Sequence, residues 1–181
     1  MPKRIVLTGF MGAGKSAVGF RLAQALGWSF IDLDEEIVRE ARKSIAEIFA
    51  AEGEARFRER EHQTLAAHLD GQQVVLALGG GALETTANRT LLAANPETWL
   101  VYLEASLEVL IARCERQRMA QPDAPLRPVL ERRDELAARF LTRQPLYQTS
   151  HFTIPTAELN PDEIVLTIMS RLQNHDAGCP Q

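Results

Sequence analysis

The amino-acid sequence predicts an α/β fold in which helices flank a central parallel sheet of five strands. Short apolar runs alternate with longer segments of helical periodicity, which is typical of parallel sheets with helical crossovers. A glycine-rich segment directly follows the first apolar run. The 181 residues suffice for one domain with a full hydrophobic core but are too few for two domains of typical size, so we expect a single domain over residues 1–181.

The composition is that of an ordinary globular protein, with 45% hydrophobic and 24% charged residues. The formal net charge of -4 argues against broad nucleic-acid binding, which usually requires a basic surface. The apolar run after Arg4 is too short for a signal peptide, and no segment approaches the roughly 18 apolar residues of a membrane span. Cys114 and Cys179 match no metal-ligand spacing. We therefore expect a cytoplasmic protein that binds neither nucleic acid nor membrane. A monomer is our expectation for its oligomeric state.

Five short apolar segments are predicted to be strands. The first ends at Gly9 and the third ends at three consecutive glycines, both of which are typical ends for buried strands. The predicted strands span residues 4–8, 29–33, 73–78, 98–103 and 151–154.

The segments between the strands have the periodicity of helices. In the first, Val18, Leu22 and Leu26 share one face, and Gly27 ends the helix. The predicted helices span residues 15–26 and lie near 34–42, 45–69 with an interruption at Gly53, 84–94, 106–117, 129–144 and 161–173.

One segment breaks this alternation. Residues 116–128 contain three prolines and no apolar periodicity, so we expect an exposed loop there. It forms most of a predicted lid over about residues 114–128. The polar segment 174–181 is expected to fray.

The segment Gly9–Ser16 fits the pattern G-x-x-x-x-G-K-[ST] of a phosphate-binding loop, between a predicted strand and a predicted helix. Gly12 and Gly14 permit a tight turn that brings backbone N–H groups to phosphates, and the helix N-terminus adds a partial positive charge. We expect Lys15 to contact the β- and γ-phosphates of ATP and the Ser16 hydroxyl to bind Mg²⁺. The residues predicted to contact ATP here are Gly12, Ala13, Gly14, Lys15, Ser16 and Ala17.

From Arg4 to about Leu172, an ordered series of motifs resembles the shikimate kinase family. The motifs are Gly-x-Met-Gly-x-Gly-Lys-Ser at 9–16, Asp32-Leu33-Asp34, residues 45–49 leading to Gly53-Glu54, Phe57-Arg58-x-x-Glu61, Gly79-Gly80-Gly81, Arg127-Pro128 and Arg143-x-Pro145-Leu146-Tyr147. Each motif is weak alone, but together and in order they are specific. The resemblance implies a three-layer P-loop kinase fold of the nucleoside-monophosphate-kinase-like group. It also implies Mg²⁺-dependent transfer of phosphate from ATP to the 3-hydroxyl of shikimate, a step of aromatic amino-acid synthesis.

Asp32 and Asp34 alternate at the predicted end of the second strand. From the residues alone, Asp34 has an equal alternative role as the cap of the next helix. The resemblance assigns Asp34 to the shikimate hydroxyls, where a carboxylate can orient the attacking oxygen and accept its proton. It places Asp32 in the Mg²⁺ shell through water. The helical region that binds the substrate is expected at about 34–62.

Arg58 lies in a run of charges with Arg56 and Arg60, which is typical of a solvated helix with ion pairs between successive turns. Only the arginine after Phe57 matches the family's carboxylate-binding arginine, so the resemblance selects Arg58. Its planar fork suits a carboxylate, and Glu61 could hold it in place.

The glycines 79–81 could form a simple turn, but the carboxyl end of a parallel strand is also where ligands approach backbone amides. The resemblance places the acceptor ring against Gly79, Gly80 and Gly81. It makes Arg143 the second arginine on the carboxylate, whereas periodicity alone does not separate Arg143 from Arg139.

Two further arginines are assigned by the resemblance. Arg127, in the lid, is expected to contact ATP and reach the transferred phosphate. The alternative is that Arg127 is an exposed charged residue of the loop without such a role. Arg113 is expected to pack on the adenine ring, with Arg116 and Arg118 near enough to take that place instead. The predicted catalytic residues are Lys15, Asp34 and Arg127.

The chain departs from the family pattern at two places. Residues 120–125 form an apparent insertion in the lid, and residues 148–151 stand where the family has an acidic residue followed by Ala-Asp.

Alternative functions remain open at this point. A related kinase for gluconate or for a nucleotide would also bind its anionic acceptor with arginines. A nucleotide-binding regulatory module without turnover would have the same phosphate loop.

Overall fold

A sheet of five parallel strands forms the centre of the molecule. The structure is a computed structural model that describes residues 2–120 and 132–177. The strands are β1 (Arg4–Thr8), β2 (Ser29–Asp32), β3 (Val74–Ala77), β4 (Thr98–Glu104) and β5 (Phe152–Pro155). Their spatial order is β2-β3-β1-β4-β5, and every neighbouring pair is parallel. The predicted five-stranded parallel sheet is therefore confirmed, with every strand end within one residue of its expected position.

Helices flank this sheet along the described parts of the chain. They are α1 (Lys15–Leu26), α2 (Leu33–Ala41), α3 (Ile45–Leu69), α4 (Thr86–Ala93), α5 (Leu107–Ala120), α6 (Arg133–Tyr147) and α7 (Pro161–Ala177), together with a short 3₁₀ helix at Ala82–Glu84. None of these helices has both the length and the apolar character needed to cross a membrane, in the part of the chain that the structure describes.

Two helices extend further than the sequence predicted. Helix α5 continues to Ala120, so residues 116–120, which we expected in the lid loop, are helical. These residues are all exposed, and they therefore lack an apolar face although most are good helix formers. Helix α7 likewise includes residues 174–177, which we expected to fray. The rest of the predicted lid, at 121–128, lies outside the described residues.

The core includes β1, where Ile5, Val6 and Leu7 are completely buried. Burial on both faces explains why this strand is continuously apolar rather than alternating. Beside it, Gly19 in α1 allows the ring of Phe30 to pack closely, since an added Cβ would lie 2.5 Å from that ring. The first helix is thereby held firmly against the sheet just behind the phosphate loop.

The strand order brings three sequence motifs to one edge of the sheet. Because the strands are parallel, the carboxyl ends of β1, β2 and β3 lie at the same edge. The loop 9–14 follows β1, Asp32 ends β2, and the glycines 79–81 follow β3. This edge is where open α/β sheets bind their ligands.

Helix α3 is kinked, as the sequence predicted. A capping box between Ser44 and Glu47 starts the helix, and Gly53, with φ of 82°, interrupts it. Glu52 pairs with Lys43 at 3.2 Å and with Arg60 at 2.9 Å, which joins the segments before and after the kink. The second segment can therefore turn its buried face toward the glycines that follow β3.

Candidate active site

The loop after β1 has the conformation of a phosphate-binding loop. Gly12 has φ of 76°, and an added Cβ there would lie 2.6 Å from the carbonyl oxygen of Leu110 and 2.9 Å from Sγ of Cys114. Both the backbone conformation and the close packing therefore require glycine. Gly14 adopts a left-handed conformation and directly precedes α1, so the helix N-terminus opens onto the loop.

Lys15 bends back over this loop. Its Nζ donates hydrogen bonds to the carbonyl oxygens of Gly9 at 2.8 Å and Phe10 at 3.1 Å. The ammonium group thus lies at the loop, where the β- and γ-phosphates of a nucleotide are expected.

Ser16 and Asp32 meet beside the phosphate loop. The Ser16 hydroxyl donates to Oδ2 of Asp32 at 2.5 Å. The other carboxylate oxygen of Asp32 accepts from the backbone N–H groups of Asp34 at 3.1 Å and Glu35 at 3.4 Å, and so caps α2. The helix cap that we considered for Asp34 is therefore provided by Asp32, because α2 begins one residue earlier than predicted.

Asp34 and Glu61 converge on Gly79. An added Cβ on Gly79 would lie 2.6 Å from Oδ1 of Asp34 and 3.2 Å from Oε1 of Glu61. The Glu61 side chain is only 1% exposed. Burial raises the pKa of Glu61 to about 7, against the opposing effect of Arg58 and with a further upward contribution from Asp34.

Arg58 is held among carboxylates. Its Nη1 donates to both carboxylate oxygens of Glu61, at 3.2 and 3.0 Å, which confirms the predicted support of Arg58 by Glu61. Burial alone would lower the pKa of Arg58, but the surrounding carboxylates, led by Glu61, raise it above its ordinary value. Arg56 and Arg60, in contrast, pair with glutamates on α3, as predicted for a solvated helix face.

Arg143 reaches the same place from α6. Its side chain is 12% exposed and lies over the ring of Phe10, whose centroid is 5.9 Å from the guanidinium carbon. Its Nε is buried and finds no hydrogen-bond acceptor among the described residues. Arg139 is exposed, so the structure separates the two arginines that periodicity could not.

The two guanidinium groups meet in front of Gly81, where an added Cβ would lie 2.6 Å from Nη2 of Arg58 and 3.0 Å from Nη2 of Arg143. We call Arg58 and Arg143 the arginine pair. Glu84 was not identified from the sequence, yet its Oε2 accepts from Arg143 at 2.8 Å and from Arg58 at 3.3 Å. Only the excess of arginines near this site could have suggested such a partner, because a 3₁₀ turn has no periodicity that marks Glu84.

The arginine pair lies beside the phosphate loop. An added Cβ on Gly80 would be 3.7 Å from Nη1 of Arg143, 3.8 Å from the backbone nitrogen of Met11 and 3.9 Å from the carbonyl oxygen of Gly9. On its other side, the carbonyl oxygen of Gly80 accepts a hydrogen bond from the buried Tyr147 hydroxyl, and burial raises the pKa of Tyr147. Gly80 is thus the point where the two halves of the site meet.

The remaining predicted arginines lie elsewhere. Arg113 donates to the hydroxyl of Thr156 at 3.0 Å and to its carbonyl oxygen, so it ties α5 to the loop after β5. Burial lowers the pKa of Arg113, and Arg116 lowers it further. The role of Arg113 on adenine stays a prediction. Arg127 lies outside the described residues.

Comparison with known proteins identifies the family. A family model described as shikimate kinase matches residues 11–173. The chain belongs to the shikimate kinase family. Curated shikimate kinases from Salinibacter ruber and Symbiobacterium thermophilum are 40% and 39% identical, covering 91% and 93% of this chain and 81% and 95% of the relatives.

Solved structures extend the likeness to the fold. A shikimate kinase from Acinetobacter baumannii in complex with shikimate has a TM-score of 0.83 and 34% identity, covering 97% of this chain and 94% of that one. A gluconokinase from Sinorhizobium meliloti has a TM-score of 0.61 at 20% identity, covering 96% and 95%, so it shares the fold alone. The predicted P-loop kinase fold is confirmed.

Proposed function

We propose that this chain transfers the γ-phosphoryl group of ATP to the 3-hydroxyl of shikimate, giving shikimate 3-phosphate and ADP for the synthesis of aromatic amino acids. The observation that carries this proposal is the position of Gly80, which lies close both to Arg143 of the arginine pair and to the phosphate loop. A carboxylate bound at the arginine pair would place the ring of its acceptor next to the phosphates. Membership of the shikimate kinase family supports shikimate as that acceptor.

The arginine pair suits the shikimate carboxylate. Guanidinium groups present planar forks that form parallel hydrogen bonds with a carboxylate, and both groups are largely buried, so water competes little. The acceptor ring would lie against Gly79, Gly80 and Gly81. Gluconate also has a carboxylate, so the arginine pair alone does not select shikimate.

Asp34 is proposed to orient the 3-hydroxyl and accept its proton. The hydroxyl oxygen attacks the γ-phosphorus, the bond from that phosphorus to the bridging oxygen breaks, and ADP leaves with the electron pair. Lys15 and the loop amides stabilise the charge on the phosphates. Because phosphoryl transfer needs little covalent help, positioning and electrostatics provide most of the rate.

The residues beside the loop fit a magnesium ion. The Ser16 hydroxyl and the Asp32 carboxylate lie 2.5 Å apart, and oxygen ligands with retained water are what Mg²⁺ prefers. We propose that Ser16 binds the metal directly and Asp32 through water. Bound Mg²⁺ would neutralise charge on the β- and γ-phosphates.

The rest of the proposal rests on the resemblance. Arg127 is proposed to reach the transferred phosphate from the remaining part of the predicted lid, at 121–128, and Arg113 to contact adenine from the end of the site beside Thr156. Residues 34–62 would form the substrate-binding region of a single domain. We propose a cytoplasmic monomer that binds no nucleic acid.

ATP consumption with shikimate, with gluconate and without an acceptor tests this proposal. We expect shikimate alone to accelerate consumption strongly, and Lys15→Ala to slow it by roughly 10²–10⁴, the usual cost of a lost charged transition-state contact. Faster turnover with gluconate would leave a kinase with another substrate. Nucleotide binding without acceptor-dependent turnover would indicate a regulatory module instead.

A further inference from the structure

Glu84 occupies the place where the acceptor carboxylate is proposed to bind. One oxygen, Oε2, accepts from Nη2 of both members of the arginine pair, at 2.8 and 3.3 Å. The same oxygen would lie 2.8 Å from a Cβ on Gly81, directly in front of the glycines. A substrate carboxylate bound in front of Gly81, between the two Nη2 atoms, would meet these same donors.

Glu84 differs from the other carboxylates around Arg58. The Glu61 side chain is 1% exposed and contacts the opposite nitrogen, Nη1, so it can stay in place when substrate binds. Glu54 is 68% exposed and reaches only Arg58, at 3.4 Å. Glu84 is 35% exposed and, among the described residues, is the one glutamate that contacts both arginines. It is therefore held by both arginines while about a third of its side chain already faces solvent.

The backbone that carries Glu84 is fixed. Arg89 donates to the carbonyl oxygens of Leu83 at 2.6 Å and Glu84 at 3.0 Å, and the buried Asn88 donates to that of Ala82 at 2.9 Å. These bonds anchor the 3₁₀ helix from behind. Displacement of Glu84 from the arginine pair would therefore be a movement of its side chain alone.

We propose that Glu84 is an internal competitor for the acceptor carboxylate and thereby a determinant of acceptor specificity, an inference that rests on the proposed function. With no acceptor bound, its carboxylate offsets part of the positive charge of the arginine pair. An incoming carboxylate must replace the carboxylate of Glu84. The net gain in binding free energy from its ion pair with the arginines is therefore only the difference between two similar ion pairs. An acceptor then binds well only if its hydroxyls add contacts, such as those with Asp34.

Shikimate binding to Glu84→Gln, measured by calorimetry, tests this inference. The amide keeps the size of the side chain but not its charge, so we expect about three- to tenfold tighter binding, the value of a partly exposed ion pair with two hydrogen bonds. Glu84→Ala should show the same direction. Glu59→Gln, a matched loss of charge at an exposed ion pair with Arg56 on α3, should change binding less than twofold.

The methyl ester of shikimate provides the second control. The ester presents no carboxylate to compete with Glu84. Its affinity for Glu84→Gln should therefore stay within about twofold of its affinity for the wild type, if the tighter binding of shikimate comes from removing the competing carboxylate. Unchanged or weaker shikimate binding in both Glu84 variants would overturn the inference, and weaker binding would mean that Glu84 positions the arginines. Equal gains for shikimate and its ester would also overturn it.

Arg143→Lys separates this inference from the proposed function. If Arg143→Lys weakens shikimate binding at least tenfold while the Glu84 variants show no gain, the arginine pair binds the carboxylate and only the competitor role fails. If Arg143→Lys and Arg58→Lys both leave shikimate binding unchanged, the arginine pair is not the carboxylate site, and both proposals fail there. Melting temperatures of the variants check that each is folded.

Discussion

At the scale of single residues, two aspartates that are neighbours in one motif have different tasks. Asp32 joins Ser16 to the start of α2 and caps that helix, whereas Asp34, in its first turn, approaches Gly79. From the sequence, Asp34 had two alternative roles, a structural one as the helix cap and a catalytic one. Because α2 begins at Leu33, its cap is Asp32, so the capping role does not apply to Asp34. The catalytic role of Asp34 stays a proposal.

Asp34→Asn should strongly slow turnover without destabilising the protein. Amide and carboxylate are similar in size, but the amide cannot accept the hydroxyl proton, so we expect kcat to fall about 10²–10⁴-fold. Asp32→Ala is the comparison for stability, since loss of the cap costs about 1 kcal/mol, or about 2–4 °C in melting temperature. Normal activity of Asp34→Asn, or a loss of stability equal to that of Asp32→Ala, would contradict these roles.

The buried carboxyl of Glu61 should make stability depend on pH. Its pKa is raised from 4.5 to about 7, chiefly by burial. The folded state thus binds this proton more tightly than the unfolded state. The resulting stabilisation of the folded state is fully present below pH 4.5 and is lost as the pH rises through about 7.

Comparison with Glu61→Gln isolates this effect. Between about pH 5 and pH 8, the unfolding free energy of the wild type should fall by about 2–3 kcal/mol relative to the variant. Chemical denaturation at several pH values measures the difference. A difference that stays constant with pH would mean that Glu61 has an ordinary pKa in the folded protein.

Residues with a distinctive motif could be assigned from the sequence, whereas residues defined only by contacts could not. Arg58 and Arg143 stand in motifs of the family, and the structure brings them together. Glu84 stands in no motif that we identified, and its partners are 26 and 59 residues away in the chain. Such contacts become apparent only when the whole sheet is assembled.

At the scale of elements, the turn after β3 depends on the absence of side chains. Gly79 and Gly80 do not have positive φ, so alanine fits the backbone at both. Their surroundings differ, however. An added Cβ on Gly79 would be 2.6 Å from Asp34, whereas the nearest atom to one on Gly80 is 3.7 Å away.

Gly79→Ala should therefore disturb the folded protein more than Gly80→Ala does. We expect Gly79→Ala to lose about 1–3 kcal/mol of stability through crowding and at least tenfold in kcat through displacement of Asp34. Gly80→Ala should stay within about 0.5 kcal/mol of the wild type. Thermal unfolding compares the two, and equal melting temperatures would refute the proposed crowding at Gly79.

Element boundaries were predictable where a local signal marks them. Gly53 marks the kink in α3, and Gly27 marks the end of α1. The end of α5 has no such signal, because residues 116–120 are exposed and contain neither glycine nor proline. Periodicity detects only a helix that buries a face, so it placed this boundary too early.

At the scale of the whole molecule, strand order explains why distant motifs form one site. β3 lies between β2 and β1, so the glycines after it separate Asp34 from the phosphate loop. Alternation of strands and helices predicted the parallel sheet, but the order of its strands is a property of long-range packing. The resemblance provided the expected site, and the geometry explains how its parts meet.

The most direct test of shikimate as the acceptor is its effect on thermal stability in the presence of ADP and Mg²⁺. A ligand at about 100 times its Kd stabilises the folded state by roughly 2.7 kcal/mol, which for a domain of this size raises the melting temperature by about 5–11 °C. Reversible two-state unfolding must be verified first. Shikimate should produce this rise, whereas gluconate and a nucleoside monophosphate at the same concentration should produce much less. A larger rise with gluconate, together with faster phosphate transfer to it, would contradict the assignment of shikimate.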